Sequence, residues 1–157
     1  MDTQKVQLLA TGIEAAPFEI PGATGEFRIQ LLNEDQANGV VTSIVHLPAG
    51  GRIPAHRHDA GSEMHYVLEG DLIEAGETLE AGAFLTHAAG VVHGPHESRG
   101  GAKVLTVQTW QSRDGKFDFH LADAGDAGET SSSQVSAKPP ETESPAQAEE
   151  ALGKGYG

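Results

Sequence analysis

The segment Gly50-Gly-Arg-Ile-Pro-Ala-His56-Arg-His58-Asp-Ala-Gly-Ser-Glu63-Met-His65 carries two imidazoles two residues apart and a carboxylate shortly after them. On a strand, side chains two apart leave the same face, so His56 and His58 can converge on one ion. Asp59-Ala60-Gly61-Ser62 is turn-like and returns the chain, letting Glu63 approach the same point. A carboxylate beside neutral imidazoles makes a site of intermediate hardness, suited to Fe(II), Mn(II), Ni(II) or Zn(II). A third imidazole, His93, is available downstream, with Gly82 and Gly90 marking the turns around the intervening strand. Three imidazoles and one carboxylate in an octahedral shell leave two positions open, enough for a substrate and O2 or for a bidentate substrate. A purely structural zinc site closes a tetrahedron with protein ligands instead.

The neighbouring residues sort by strand parity. If Glu63 points inward, so do His65 and Val67. His65 then lines the cavity, where it can serve as an acid/base or donate a hydrogen bond to substrate. His96 follows the turn-like Gly94-Pro95 and is expected to be exposed at the rim. His87 can face either way, and His46 and His120 have only strand context. The pocket wall is expected from alternate positions of Val40–Leu47 and Ala102–Trp110, with Val67 and Tyr66. Trp110, the single Trp, is expected as a core plug. Arg52, Arg57 and Arg99 lie near these segments, and one of them at the barrel mouth can hold a substrate carboxylate. No spacing suggests a Ser-His-Asp triad, and no phosphate-cradling glycine motif is present.

These residues must be positioned by β structure. Phe27–Leu32, Val40–Leu47, Met64–Leu68, Leu72-Ile73, Ala83–Thr86, Val91–His93, Ala102–Trp110 and Phe117–Leu121 are short β-favouring runs. Turn residues separate them, among them Glu69-Gly70-Asp71 and Ala75-Gly76. With 20 Gly and 8 Pro in 157 residues, many tight turns are accommodated, and an antiparallel sandwich or barrel is indicated. From Ala124 the sequence is rich in Ala, Gly, Ser, Pro and Glu, and its sizeable apolar side chains are Val135, Leu152 and Tyr156. Too little apolar surface is available there to offset the entropy of ordering. The expected division is a β-barrel domain over 1–123 and a disordered acidic tail over 124–157, with all eight histidines in the first part.

The formal net charge is −13, which opposes contact with phosphate backbones and anionic headgroups, so neither nucleic acid nor a membrane surface is an expected partner. There is no Cys, which excludes disulfides, thiolate metal sites and Cys nucleophiles. No run of about 18 apolar residues and no basic, apolar leader is seen, so a cytoplasmic location is expected.

The two His-bearing segments resemble the cupin superfamily. Gly50, His56, His58, Glu63 and Gly70 match its first motif, with four residues between His58 and Glu63. Gly82, Gly90 and His93 match the second motif, although Ala88 stands where Pro is usual and Glu97 where Asn is usual. The resemblance covers roughly Val40 to Trp110. It implies an all-β, double-stranded β-helix (a jelly-roll cupin barrel) holding one divalent metal ion per chain on His56, His58, Glu63 and His93, with Fe(II) favoured over Mn, Ni or Zn. It further implies a dioxygenase acting on a small enol, diketone or phenolic substrate with O2, with His65 and Glu63 as its catalytic residues. A lyase, isomerase or epimerase on a sugar or hydroxy acid is the alternative, followed by a non-catalytic metal- or ligand-binding module. Homodimerisation, with Met1–Ile20 contributing the contact, is a family expectation.

Overall fold

The computed structural model describes residues 10–109 and 117–123. The proposed tail, Trp110 and the first residues of the N-terminal segment lie outside them. A 3-10 turn at Ala10–Gly12 precedes eleven strands: β1 (Ala16–Pro17), β2 (Arg28–Asp35), β3 (Val40–Leu47), β4 (Arg52–Ile53), β5 (His56–Arg57), β6 (Glu63–Glu74), β7 (Glu77–Glu80), β8 (Phe84–His87), β9 (His96–Glu97), β10 (Ala102–Thr109) and β11 (His120–Leu121). All ladders between strands are antiparallel. One sheet runs β1-β2-β3-β10-β6-β9-β4, with β7 and β8 also pairing with β6, and β5 pairs with β11. This is the curled all-β barrel the turn spacing predicts.

The organising element is β6. Its first half pairs with β10 on one side and β8 on the other, and its second half with β7 and β9. The sequence reading ends this strand at Glu69-Gly70-Asp71; the structure continues it to Glu74. The reason is a bulge. Lys103 pairs with Glu69 but Val104 with Val67, so Leu68 is skipped and the strand bends into the second layer. Gly70 permits this: its φ is +78°, and a Cβ there would collide with the carbonyl oxygen of Gly101. The motif positions Gly50, Gly82 and Gly90 also have positive φ. Ala75-Gly76 closes the β6–β7 hairpin as expected, with Glu74 opposite Glu77.

The core lies inside the barrel, and part of it borders the site. Phe27, Ile29, Val45, Leu47, Ile53, Val67, Leu72, Leu79, Leu85, Ala102 and Val104 form one buried cluster. Val67 and Leu85 are wholly removed from water, worth about 2 kcal/mol each in transfer free energy. Val67 thus belongs to the core rather than the pocket wall, and Tyr66, of opposite parity, lies on the outer face at 42% exposure.

Candidate metal centre

Backbone pairing brings the distant motif segments together. His56 and His93 form an isolated bridge in which each backbone N–H donates to the other's carbonyl, at 3.0 and 2.9 Å. Gly90 donates its N–H to the carbonyl of His58 at 2.6 Å. Glu63 opens β6, facing His87 of β8 across the ladder. As a result His56, His58, Glu63 and His93, all buried, offer four ligand atoms within 4.8 Å of one another. The sequence assigns these same four.

The orientation of the rings is fixed from behind. His56 donates Nδ1–H to the carbonyl of Pro54 at 2.7 Å, His58 to that of Asp118 at 2.5 Å, and His93 to that of Val91 at 3.0 Å. Carbonyls only accept, so each neutral ring carries its proton on Nδ1 and presents Nε2 as a lone pair. Those lone pairs converge: Nε2 of His56 and of His93 are 3.1 Å apart, and Oε2 of Glu63 lies 2.9 Å from Nε2 of His93 and 3.4 Å from Nε2 of His58. Nε2 of His58 and Oε2 of Glu63 have no hydrogen-bond partner. Buried acceptors facing one another without a donor are satisfied by a cation, so the donor set fits a divalent metal.

Electrostatics favour the neutral ring at His56 and His93 but not at His58. Burial, reinforced by His96 and His93, pushes His56 down to about 2, and burial also lowers His93. Burial acts downward on His58 too, but the Glu63 carboxylate outweighs it and the net direction is up. Burial alone would raise Glu63, yet the surrounding imidazoles of His65, His58 and His93 hold it well below the ordinary carboxylate range. The site therefore keeps its carboxylate ionised, as a ligand must be.

His65 points inward as parity requires. Its Nε2 is 3.0 Å from Oε2 of Glu63 and its Nδ1 3.0 Å from Oγ1 of Thr106. His96 does not lie exposed at the rim. It enters β9 opposite Glu74, which turns its ring inward; it is buried, with Nδ1 in close contact with Glu74 Oε2. His87 is buried as well, its ring stacked on that of His93 with centroids 4.0 Å apart. Of the arginines, Arg52 pairs with Glu97 at 2.9 Å and Arg57 with Asp59 at 3.0 Å, so both meet carboxylates of the chain itself.

Sequence reasoning missed Glu74 and Asp118. The bulge at Leu68 moves the inward parity from Glu63, His65 and Val67 to Leu72 and Glu74, and a reader carrying the odd numbers forward passes over Glu74. Asp118, almost wholly buried, accepts from the backbone N–H of Asp59 at 3.0 Å and of Ala60 at 2.7 Å. It thereby fastens the turn between His58 and Glu63. The cavity in front of the cluster is lined chiefly by apolar groups, including Phe18, Ile20, Val45, Ile53, Val104 and Phe119, with His65, His96, Thr106 and Gln108 as its further polar residues. Val45, Val104 and Thr106 come from the two strands expected to supply the wall. Phe119 also stacks on His56, with centroids 4.3 Å apart.

The barrel and the placement of the motif residues are those of a cupin. The chain belongs to the ChrR cupin-like domain family, whose model matches residues 8–113. Solved structures share its fold. A candidate acetylacetone dioxygenase from Methylibium petroleiphilum PM1 superposes with a TM-score of 0.61 at 20% identity, over 74% of this chain and 88% of that one. The acetylacetone dioxygenase of Acinetobacter johnsonii gives 0.57 at 19% identity, over 74% and 83%. A candidate oxalate decarboxylase from Thermotoga maritima gives 0.56 at 20% identity, over 74% and 99%. At such identities the likeness establishes the fold alone. No curated protein matches the chain. Among the described residues no helix is long and apolar enough to cross a membrane.

Proposed function

We propose that this cupin is a metal-dependent oxygenase, a dioxygenase of small enolisable diketones or phenols, with His56, His58, Glu63 and His93 as the ligands of one divalent ion. The carrying observation is the set of three Nε2 lone pairs and one carboxylate oxygen, fixed by carbonyl acceptors behind the rings and facing an apolar cavity. Iron(II), when bound, supplies the coupling of O2 to an electron-rich substrate. A dioxygenase places both atoms of O2 in its products, so no separate reductant is required.

The chain's own residues set the rest. The apolar wall excludes water from the reacting carbon and favours an uncharged or enolic substrate over a sugar. His65 lines the cavity and is the group assigned to take the substrate's proton at Nε2, with Thr106 steadying the ring through Nδ1. The cavity-lining residues among those described include no Lys or Arg. That supports oxygenase chemistry over lyase or isomerase chemistry on sugar acids, where cationic groups would neutralise the substrate carboxylate.

The test is oxygen uptake by iron-loaded protein against a panel of small β-diketones and phenols. Substrate-dependent uptake that disappears in Glu63→Ala is expected. Iron-loaded protein that takes up no oxygen with any of them would overturn the oxygenase reading. A Glu63→Ala variant that loses only thermal stability would indicate a structural ion.

A further inference from the structure

The oxygenase reading leaves three buried imidazoles without a ligating role. His65 is 8% exposed, His87 4% and His96 3%. They come from three separate strands, β6, β8 and β9, yet one ring nitrogen of each lies within 4.8 Å of those of the other two. Nε2 of His87 and Nε2 of His96 have no hydrogen-bond partner, while Nε2 of His65 meets Oε2 of Glu63 and Nδ1 of His96 meets Oε2 of Glu74. A natural core leaves few such atoms, and a cluster of them on facing rings is the mark of a missing shared partner.

We propose that His65, His87 and His96 form a second divalent-cation site beside the first. Imidazole nitrogens bind such ions at about 2.0–2.1 Å, so three on one tetrahedral ion stand about 3.4 Å apart. Nitrogens at the outer limit of the observed triangle must therefore close in by about 1.4 Å on binding. Glu74 adds negative charge at its edge: Oε2 contacts His96, Oε1 lies 3.8 Å from Nε2 of His87, and Oε1 also accepts from the backbone N–H of Gly94 at 2.8 Å. An imidazole-rich set with one carboxylate nearby suits Zn(II), Co(II) or Ni(II) over Mg(II) or Ca(II).

The two sites adjoin through Glu63. Its Oε2 lies 2.9 Å from Nε2 of His93 in the first set and 3.0 Å from Nε2 of His65 in the second. That is the position of a carboxylate shared by two ions, which in two-metal sites stand about 3.5–4 Å apart. Proton transfer and metal ligation at Nε2 of His65 exclude one another, so the two-ion form is the less active one. The second site itself does not depend on which reaction the first ion serves, whereas the lower activity of the two-ion form rests on the proposed proton transfer at His65.

The test is native mass spectrometry of the untagged full chain titrated with cobalt(II), on wild type, His58→Ala and His87→Ala, with far-UV circular dichroism confirming that each is folded. Wild type is expected to bind two ions, and His87→Ala one. A wild type that stops at one ion, lost in His58→Ala and kept in His87→Ala, overturns the second site and leaves the first intact. A single ion lost in His87→Ala and kept in His58→Ala overturns the first assignment and upholds the second. No ion at all overturns both. Should His87→Ala fail to fold, His96→Ala takes its place, because a wild-type count of two alone does not exclude an ion on Asp59, Asp118 and His120.

Discussion

The backbone carbonyl of Asp118 accepts the Nδ1 proton of His58 at 2.5 Å, while the side chain of Asp118 holds the backbone N–H groups of Asp59 and Ala60. One residue, 60 positions along the chain from His58, therefore selects the tautomer of a proposed ligand and fastens the turn that follows it. Replacing the side chain leaves two backbone donors unpaired and lets the carbonyl drift. Asp118→Ala is expected to weaken metal affinity about 10–100-fold, as loss of an outer hydrogen-bond partner typically does. Asp118→Asn, which keeps one acceptor oxygen, is expected to fall between. Isothermal titration with cobalt(II) measures both; unchanged affinity in Asp118→Ala would remove the positioning role.

The proposed acid/base role of His65 is separable from metal binding at the first site by comparing turnover with metal content. His65→Gln is expected to retain the ion on His56, His58, Glu63 and His93 and to lose about 10²–10⁴-fold in kcat, the usual range for a general acid/base. Metal content and kcat measured on the same preparation check it. Turnover at the wild-type rate would take His65 out of the mechanism.

Leu85 tests the apolar core. It is wholly buried among Val67, Val104 and their neighbours, so Leu85→Ala opens a cavity in a packed cluster. A loss of about 2–5 kcal/mol in unfolding free energy is expected, read from denaturant melts. A loss well below that range would mean the core collapses around the gap.

Asp71 gives the fold a dependence on acid. It accepts from the backbone N–H of Arg99 and Gly100 and from the hydroxyl of Ser98, and these bonds, the one from Arg99 foremost, hold its carboxyl below the ordinary range. A carboxyl whose folded pKa is lowered stabilises fully above its unfolded value, near pH 3.9, and loses that contribution as pH falls through the folded value. The Tm advantage of wild type over Asp71→Asn is therefore expected to be constant above about pH 5 and to vanish in stronger acid. An advantage independent of pH would assign it to packing.

The clustering of the four candidate ligands was legible because it depends on local rules. His56 and His58 share a face by strand parity, and motif glycines at positive φ place the turns around Glu63 and His93. What depends on pairing partners was not legible. A bulge is a relation between two strands, so nothing in Val67-Leu68-Glu69 alone shows that parity changes there, and Glu74 went unseen. His96 was misjudged for the same reason. Gly94-Pro95 reads as a turn, while the ring's direction is set by pairing with Glu74 from β6. Asp118 lies in a short, weakly patterned segment and acts through backbone groups far away in sequence, which leaves no periodic signal.

The most direct measurement is elemental analysis of untagged protein purified without air, with its iron spectrum followed as O2 and a β-diketone are admitted. The account predicts at least one iron per chain, absent from His58→Ala, whose spectrum responds to the diketone and then to O2. Protein that carries only zinc or manganese and stays inert to O2 would contradict it and point to lyase or isomerase chemistry instead.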